Sequence, residues 1–102
     1  MTIQFYLRFH TKYGESLLVS GDAEELGNND PAKALLLEYL NNEFWTGTIN
    51  VKKKEFNKGA SYKYILQRED GSQFVESCND RQIDFFKKET ENIRLVDTWN
   101  YA

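Results

Sequence analysis

The most regular pattern along this chain is an alternation of apolar and polar residues. In residues 3–9 the odd-numbered positions are apolar and the even-numbered ones are polar or amphipathic, which predicts a strand with one buried face. Residues 16–20 have an apolar centre and lie between Gly14 and Gly21, so we predict a second, more deeply buried strand. The two strands are close in sequence, and we expect them to form a hairpin.

Short extended runs continue through the rest of the chain, with little sign of helix. The one helical signal is at residues 22–26, where Asp22 can cap the free amide groups of a single turn that Gly27 ends. Further strands are predicted at 34–40, 45–51, 61–68, 73–76, 83–86 and 93–99. Seven or eight short strands separated by turns predict an all-β protein, an immunoglobulin-like antiparallel β-sandwich.

The length and the cysteine content limit the kind of protein that this can be. A chain of 102 residues is expected to form a single domain, residues 1–102, and because it ends soon after Trp99 we expect this domain to be part of a longer enzyme. Cys78 is the only cysteine, which excludes an internal disulfide and suits a reducing compartment. No signal peptide or membrane-spanning segment is visible. With Met1 as the start, we predict a cytoplasmic location.

Charge and catalytic residue types narrow the function by exclusion. The net charge is −3, from 16 acidic and 13 basic residues, without the basic stripe that a nucleic-acid-binding protein needs. His10 and Cys78 are each the only residue of their type, and they do not suggest a Cys/His nucleophile. No metal-ligand spacing or phosphate-binding loop occurs, and a small sandwich leaves little room for the cleft that paired catalytic carboxylates require. We therefore expect a non-catalytic binding domain without a cofactor.

Five short motifs occur in order across nearly the whole chain. They are Thr11-Lys12-Tyr13-Gly14-Glu15, Glu25-Leu26-Gly27, Tyr62-Lys63-Tyr64, Asp70-Gly71 and Val96-Asp97-Thr98-Trp99. In this order and at this spacing they resemble the motifs of starch-binding domains of carbohydrate-binding module family 20. The resemblance implies a non-catalytic module that binds α-1,4-glucan in the form of starch, glycogen or maltooligosaccharides.

Members of that family usually carry two glucan sites, and the first is altered in this chain. The family builds it around two tryptophans, one shortly after the Leu-Gly pair and one directly before a glutamate. Asn29 and Val75 stand at these positions, so both stacking planes are missing. The resemblance leaves Lys63 and Glu76 as carbohydrate-binding candidates there, and each exposed hydrogen bond contributes only about 0.5–1.5 kcal/mol. We expect this site to be weak or lost, unless a ring such as Phe74 has replaced the tryptophans.

The resemblance implies a second site that uses tyrosines from the loop after the first strand and from the strand after the Leu-Gly pair. Tyr13 matches the first of these positions and Tyr39 the second. An exposed aromatic ring can stack on the apolar face of a glucose unit, and Glu15 can accept a hydrogen bond from a sugar hydroxyl. Alternatives remain open, because each tyrosine can instead pack against the fold, and Glu15 can be a solvated turn residue.

Most of the other aromatic residues are predicted to fill the core, since a small sandwich has to pack its own interior. The prediction covers Phe5, Phe9, Trp45, Phe56, Tyr62, Tyr64, Phe74, Phe85, Phe86 and Trp99, and it leaves out Tyr6, Phe44 and Tyr101.

The arrangement of the chain resembles that of intracellular 4-α-glucanotransferases of the amylomaltase type, which begin with such modules. This resemblance implies α-glucan as the ligand and a C-terminal catalytic domain in the same chain, with neither nucleic acid nor membrane as a partner. Two alternatives remain open. One is a sandwich that has lost glucan binding and serves as an interdomain or dimer contact, and the other is a glycan-targeting module joined to a phosphatase.

Overall fold

The computed structural model describes residues 2–50, 60–76, 81–83 and 92–99. The strands, numbered in chain order, are β1 Thr2–Arg8, β2 Ser16–Gly21, β3 Leu35–Leu36, β4 Glu38–Tyr39, β5 Phe44–Asn50, β6 Ala60–Gln67, β7 Gln73–Val75, β8 Arg81–Ile83 and β9 Asn92–Thr98. Two short 3-10 turns, Glu24–Leu26 and Pro31–Lys33, interrupt this extended structure. No helix in these ranges has the length and apolar character that crossing a membrane requires.

The strands form two sheets that pack on each other. In the described part of the chain, the first sheet has the order β4-β5-β1-β9 and the second has the order β3-β2-β6-β7, with β8 also paired to β6. Rings from the two sheets meet in the interior, where Phe5 of β1 and Tyr62 of β6 lie 5.4 Å apart between centroids in an edge-to-face contact. The predicted all-β sandwich is thereby confirmed.

The predicted hairpin between the first two strands is wrong, because β1 and β2 belong to different sheets. Phe5 at the centre of β1 faces Gly47 of β5 in an antiparallel pair and Leu95 of β9 in a parallel pair. The loop after β1 therefore crosses from one sheet to the other instead of turning back. The parallel pair also departs from a purely antiparallel arrangement, and it places the first and last strands side by side.

The run predicted at 34–40 is divided between the two sheets. Leu35–Leu36 pairs with β2, whereas Glu38–Tyr39 pairs with β5. Leu37 lies between them, is buried in the core, and donates its backbone N–H to the carbonyl of Leu17 at 2.8 Å. The chain thus passes from the second sheet to the first at Leu37, which separates β3 from β4.

The predicted cap of the turn after β2 is also wrong. The turn Glu24–Leu26 begins after Ala23, which makes no side-chain capping bond. Asp22 instead accepts hydrogen bonds from the backbone N–H and the hydroxyl of Ser61 on β6, both at 3.2 Å. Its carboxylate therefore joins the turn to the second sheet.

Burial follows the alternation along the strands. Ile3, Phe5 and Leu7 on β1 are fully buried, and burying an apolar side chain of this size contributes about 1.5–3 kcal/mol. The core prediction is confirmed for Phe5, Trp45, Tyr62, Tyr64 and Trp99, and Phe9 packs half-buried against the core. It is wrong for Phe74, which is 46% exposed because β7 is a three-residue strand at the edge of its sheet. Phe56, Phe85, Phe86, Cys78 and the part of the predicted 83–86 strand beyond Ile83 lie outside the described residues.

Candidate functional site

The loop between β1 and β2 presents Tyr13 to solvent on a tight turn. The backbone N–H of Glu15 donates to the carbonyl of Lys12 at 3.1 Å, and the Glu15 carboxylate accepts from the N–H of Lys12. Gly14 has a φ of +85°, a left-handed conformation that costs a residue with a Cβ about 1–2 kcal/mol. Tyr13 is 98% exposed, so its ring does not pack over its own loop.

This loop is held against the turn that joins β6 to β7. A Cβ on Gly14 would lie 3.0 Å from the Cβ of Glu69, so glycine is what lets the two turns touch. The Nε of Arg68 lies 3.8 Å from the carboxylate of Glu15, whose side chain is only 13% exposed. Glu15 is therefore an anchor of the loop and not a solvated turn residue. These contacts hold Tyr13 in position without covering its ring.

Tyr39 offers a second aromatic surface that is fixed on one side. Its ring meets Trp45 of the neighbouring strand at 5.7 Å between centroids, with an interplanar angle of 83°. Its hydroxyl donates to the side-chain oxygen of Asn42 at 2.8 Å. The residue remains 57% exposed, so packing and exposure are combined in one side chain.

Asn42 brings the two tyrosine-bearing segments together. Its side-chain oxygen accepts the hydroxyl of Tyr39, and its backbone carbonyl lies 3.5 Å from Nδ1 of His10. His10 stands three residues before Tyr13 in the same loop. Tyr39, at the end of β4, and the loop that carries Tyr13 therefore lie at the same end of the first sheet.

The positions of the family's first site lie elsewhere, on the outer face of the second sheet. Lys63 stands between two core tyrosines on β6, so alternation turns its side chain outward. Val75 pairs with Ile65, which shares that outer face with Lys63, and Asn29 is exposed with a φ of +65°. The structure thus brings Lys63 and Val75 onto one face, where neither tryptophan position carries a ring.

Glu76 belongs to the interior of the protein. Its side chain is fully buried, and Oε1 accepts from the backbone N–H of Tyr64 at 3.2 Å and from Nε of Arg81 at 2.9 Å. Oε2 accepts from Nη2 of Arg81 at 3.0 Å. A carboxylate paired with arginine through both oxygens has the geometry of a strong structural ion pair. We therefore assign Glu76 a structural role, in place of the sugar contact expected from the sequence.

Arg81 extends this ion pair into a polar network between the two sheets. Its Nη1 lies 3.3 Å from Oδ1 of Asp97 on β9. Oδ2 of Asp97 accepts the hydroxyls of Tyr62 and Tyr64 at 2.7 and 2.6 Å. Burial raises the pKa of both phenols well above the ordinary value, and the nearby Asp97 carboxylate raises it further. The hydrogen bond to Glu76 raises the pKa of the Arg81 guanidinium. Among the described residues, no His, Cys, Asp and Glu side chains form a cluster suited to a metal ion.

Two residues lie beside the Tyr13 loop: Arg68, which the sequence did not single out for binding, and Phe74, which it offered only as a replacement ring for the first site. The guanidinium carbon of Arg68 sits 4.5 Å from the ring centroid of Phe74, within the range of a cation–π contact. The short Asp70-Gly71 turn is a signal that these two residues flank one hairpin. Nothing in the sequence indicates that the Tyr13 loop lies against that hairpin.

The fold and its exposed rings define a class of protein, a small β-sandwich that displays aromatic side chains on loops, as carbohydrate-binding domains do. The sequence model of the starch binding domain family, CBM_20, matches residues 1–94. The chain therefore belongs to carbohydrate-binding module family 20, as the motif order predicts. Domains of this family are non-catalytic and bind starch-like α-glucan.

Solved structures share the fold. The glycoside hydrolase family 15 glucoamylase from Hypocrea jecorina matches with a TM-score of 0.82 and 26% identity, over 97% of this chain and 17% of that one. The glucoamylase of Hormoconis resinae matches with a TM-score of 0.80 and 24% identity, over 99% and 17%. The family 20 module of the maltotetraose-forming amylase from Pseudomonas saccharophila matches with a TM-score of 0.75 and 17% identity, over 97% and 100%. The chain thus spans less than a fifth of each glucoamylase.

Proposed function

We propose that this starch-binding domain holds an α-1,4-glucan chain at a surface site formed by Tyr13 and Tyr39. The observation that carries the proposal is the almost complete exposure of Tyr13 on a loop that is fixed by its neighbours. A ring left in water contributes little to folding, whereas an exposed ring suits the apolar face of a glucose unit. Tyr39 supplies a second ring from the end of β4.

The residues around Tyr13 prepare the site for binding. Glu15 bonds the backbone of Lys12 and lies near Arg68, so the loop does not have to be ordered when glucan arrives. Pre-ordering of this kind reduces the entropy loss on binding. Lys63 lies on the other sheet, at a first site whose two tryptophan positions hold Asn29 and Val75, and we propose that this site is weak.

The mechanism that we propose is adsorption. A shallow surface site gives dissociation constants from about micromolar to millimolar, or about −8 to −4 kcal/mol. Such a site raises the effective concentration of substrate for a catalytic domain in the same chain. The small share of each glucoamylase that this chain covers supports an attached enzyme. That the enzyme is an amylomaltase-type 4-α-glucanotransferase in the cytoplasm is a further proposal, which the sequence of the full gene would test.

An NMR titration with maltoheptaose or β-cyclodextrin tests the site directly. We expect saturable shifts around residues 12–16 and 37–41 that disappear in Tyr13→Ala. Val96→Ala is the matched control, because Val96 is also an exposed side chain but lies on β9. The proposal fails if no shifts occur at millimolar ligand, or if Tyr13→Ala binds as the unmodified domain does.

A second candidate function rests on the outer face of the second sheet. Leu36 and Val75 are exposed there, in line with the buried Leu18 and Ile65 across four strands. The two exposed side chains of this row, Leu36 and Val75, lie on the face where the family's first site has lost its rings, which favours a contact with a second copy or a neighbouring domain. Sedimentation of the domain and of Val75→Lys over a range of concentrations tests self-association. A monomer at all concentrations would remove the dimer.

A further inference from the structure

Two adjoining grooves lie on either side of Arg68. The Tyr13 groove has a volume of about 400 Å³ and is lined by Lys12, Tyr13, Glu15, Arg68, Glu69 and Asp70. The second, which we call the Phe74 groove, has a volume of about 440 Å³ and includes the rings of Phe9, Phe74 and Trp99 over Leu66. Lys12, Glu15 and Arg68 line both grooves. A ligand can therefore pass from one groove to the other without leaving the surface.

The Phe74 groove opens at the edge of the sandwich, between the sheets. Phe74 pairs with Leu66, and because paired residues share a face of the sheet, its side chain starts toward the core side. The edge position of β7 leaves 46% of Phe74 exposed. Phe9 and Trp99, whose centroids lie 5.2 Å apart, contribute aromatic surface from the first sheet. The volume and the aromatic lining are those of small-ligand sites, which occupy about 300–1,000 Å³.

Arg68 connects the two grooves and is held from both sides. Its guanidinium packs on the ring of Phe74 at 4.5 Å and approaches Glu15 at 3.8 Å. A guanidinium carries five N–H donors, more than the contact with Glu15 uses. Donors fixed in this way can bond the hydroxyl rim of a sugar that lies over the junction.

The charges around the junction favour a neutral ligand. The two positive side chains, Lys12 and Arg68, face three carboxylates, Glu15 in both grooves and Glu69 and Asp70 on the Tyr13 side. An anionic ligand would need an excess of positive charge, as phosphate-binding clusters have. Aromatic surface with polar groups of both signs suits an uncharged oligosaccharide.

We propose that α-glucan bound at Tyr13 continues across Arg68 into the Phe74 groove, so that this domain binds long chains in an extended site. The inference rests on the proposed function of Tyr13. Phe74 supplies an aromatic contact to glucose units that a disaccharide at Tyr13 does not reach. The site therefore selects for chain length, with Arg68 as the residue that positions the chain at the junction.

Calorimetric titration with maltose and with maltoheptaose tests this extension. Phe74→Ala is expected to weaken maltoheptaose binding about three- to tenfold, the usual worth of one aromatic contact, and to leave maltose binding within about twofold. Arg68→Gln leaves Phe74 in place but removes the partner of Glu15 beside the Tyr13 loop, so it is expected to weaken the binding of both sugars and to weaken maltoheptaose binding more than maltose binding. That difference decides the matter if Phe74→Ala does not fold. Val96→Ala is the control for an exposed apolar side chain on the other sheet. Each sugar's affinity is compared between variants, and the affinities of the two sugars for one variant are not compared directly. Maltoheptaose can bind any site in more registers than maltose, which raises its apparent affinity even without an extended site.

The outcomes separate the two proposals. If Tyr13→Ala abolishes binding while Phe74→Ala and Arg68→Gln bind both sugars as the unmodified domain does, the Tyr13 site stands and the extension is overturned. If Tyr13→Ala binds both sugars normally, the proposed function fails and the extension fails with it. A loss confined to maltoheptaose in Phe74→Ala, together with a larger loss for maltoheptaose than for maltose in Arg68→Gln, supports the extension.

Discussion

Replacing Arg81 with methionine tests the polar network between the sheets. Arg81→Met keeps much of the aliphatic stem and removes every N–H donor, so the Glu76 carboxylate loses the partner that bonds both its oxygens. Glu76 still accepts the backbone N–H of Tyr64, but its buried carboxylate loses the guanidinium that bonded both its oxygens. Asp97 loses its contact with Arg81 and keeps its two phenol donors.

The expected loss follows from the burial of the three side chains. Removing one partner of a buried ion pair costs about 3–5 kcal/mol, because the other charge remains in surroundings of low dielectric. Glu76 is fully buried, whereas Arg81 and Asp97 keep some contact with solvent, so we expect the lower end of that range, about 3 kcal/mol. With a urea slope of about 1–3 kcal/mol per M, the midpoint of unfolding falls by about 1–3 M.

Urea unfolding followed by tryptophan fluorescence measures this loss. Arg8→Met is the matched control, because Arg8 pairs with Glu43 at 3.5 Å with both side chains exposed, and exposed pairs contribute only about 0–1 kcal/mol. Adding Glu76→Gln to Arg81→Met removes the stranded charge and should recover at least about 1 kcal/mol. The reasoning is refuted if Arg81→Met unfolds at the midpoint of Arg8→Met, or if the double variant recovers nothing.

Three other contacts give outcomes that simple experiments check. Gly14→Ala forces a Cβ into a left-handed turn, so we expect about 1–2 kcal/mol lower stability and, because Tyr13 is displaced, at least about threefold weaker maltoheptaose binding; unchanged affinity would contradict the role of the turn. Asp22→Ala removes two hydrogen bonds to β6 and should lower the free energy of unfolding by about 1 kcal/mol, measured in urea. Tyr62 and Tyr64 have raised pKa values in the folded protein, so their stabilisation is complete below the unfolded pKa of about 10 and is lost as pH rises above it. The urea midpoint of unfolding should therefore be lower at pH about 11 than at pH about 9. The difference between the two midpoints should be smaller in Tyr62→Phe.

The sequence predicted the faces of the strands better than their partners. Alternation in residues 3–9 identified Ile3, Phe5 and Leu7 as buried, because the two faces of a strand are a property of neighbouring residues. Whether the chain turns back or crosses to the other sheet depends on contacts between distant residues. For that reason the hairpin of β1 with β2 was predicted and does not occur.

For the candidate site too, the sequence predicted what depends on neighbouring residues and missed what depends on contacts between distant ones. The family motif locates Tyr13 and Gly14, and an exposed ring beside a glycine turn follows from local geometry. The motif also locates Glu76, but its partner Arg81 comes from another strand, so the buried ion pair was not foreseen. Phe74 has the alternation of a core residue, and only its place on an edge strand leaves it open to solvent.

The parallel pairing of β1 with β9 determines how the domain carries mechanical load. Because Arg8 lies opposite Thr98, the Tyr13 loop and the chain beyond Trp99 leave from the same end of the first sheet. A pull between a bound granule and a domain joined after Trp99 acts on the neighbouring ends of β1 and β9, and it opens the ladder between them one hydrogen bond at a time. A domain joined before Thr2 would instead pull along the covalent backbone of β1, which runs for seven residues, about 20 Å, to the loop that carries Tyr13. The direction of attachment therefore decides whether force on a starch surface reaches the fold.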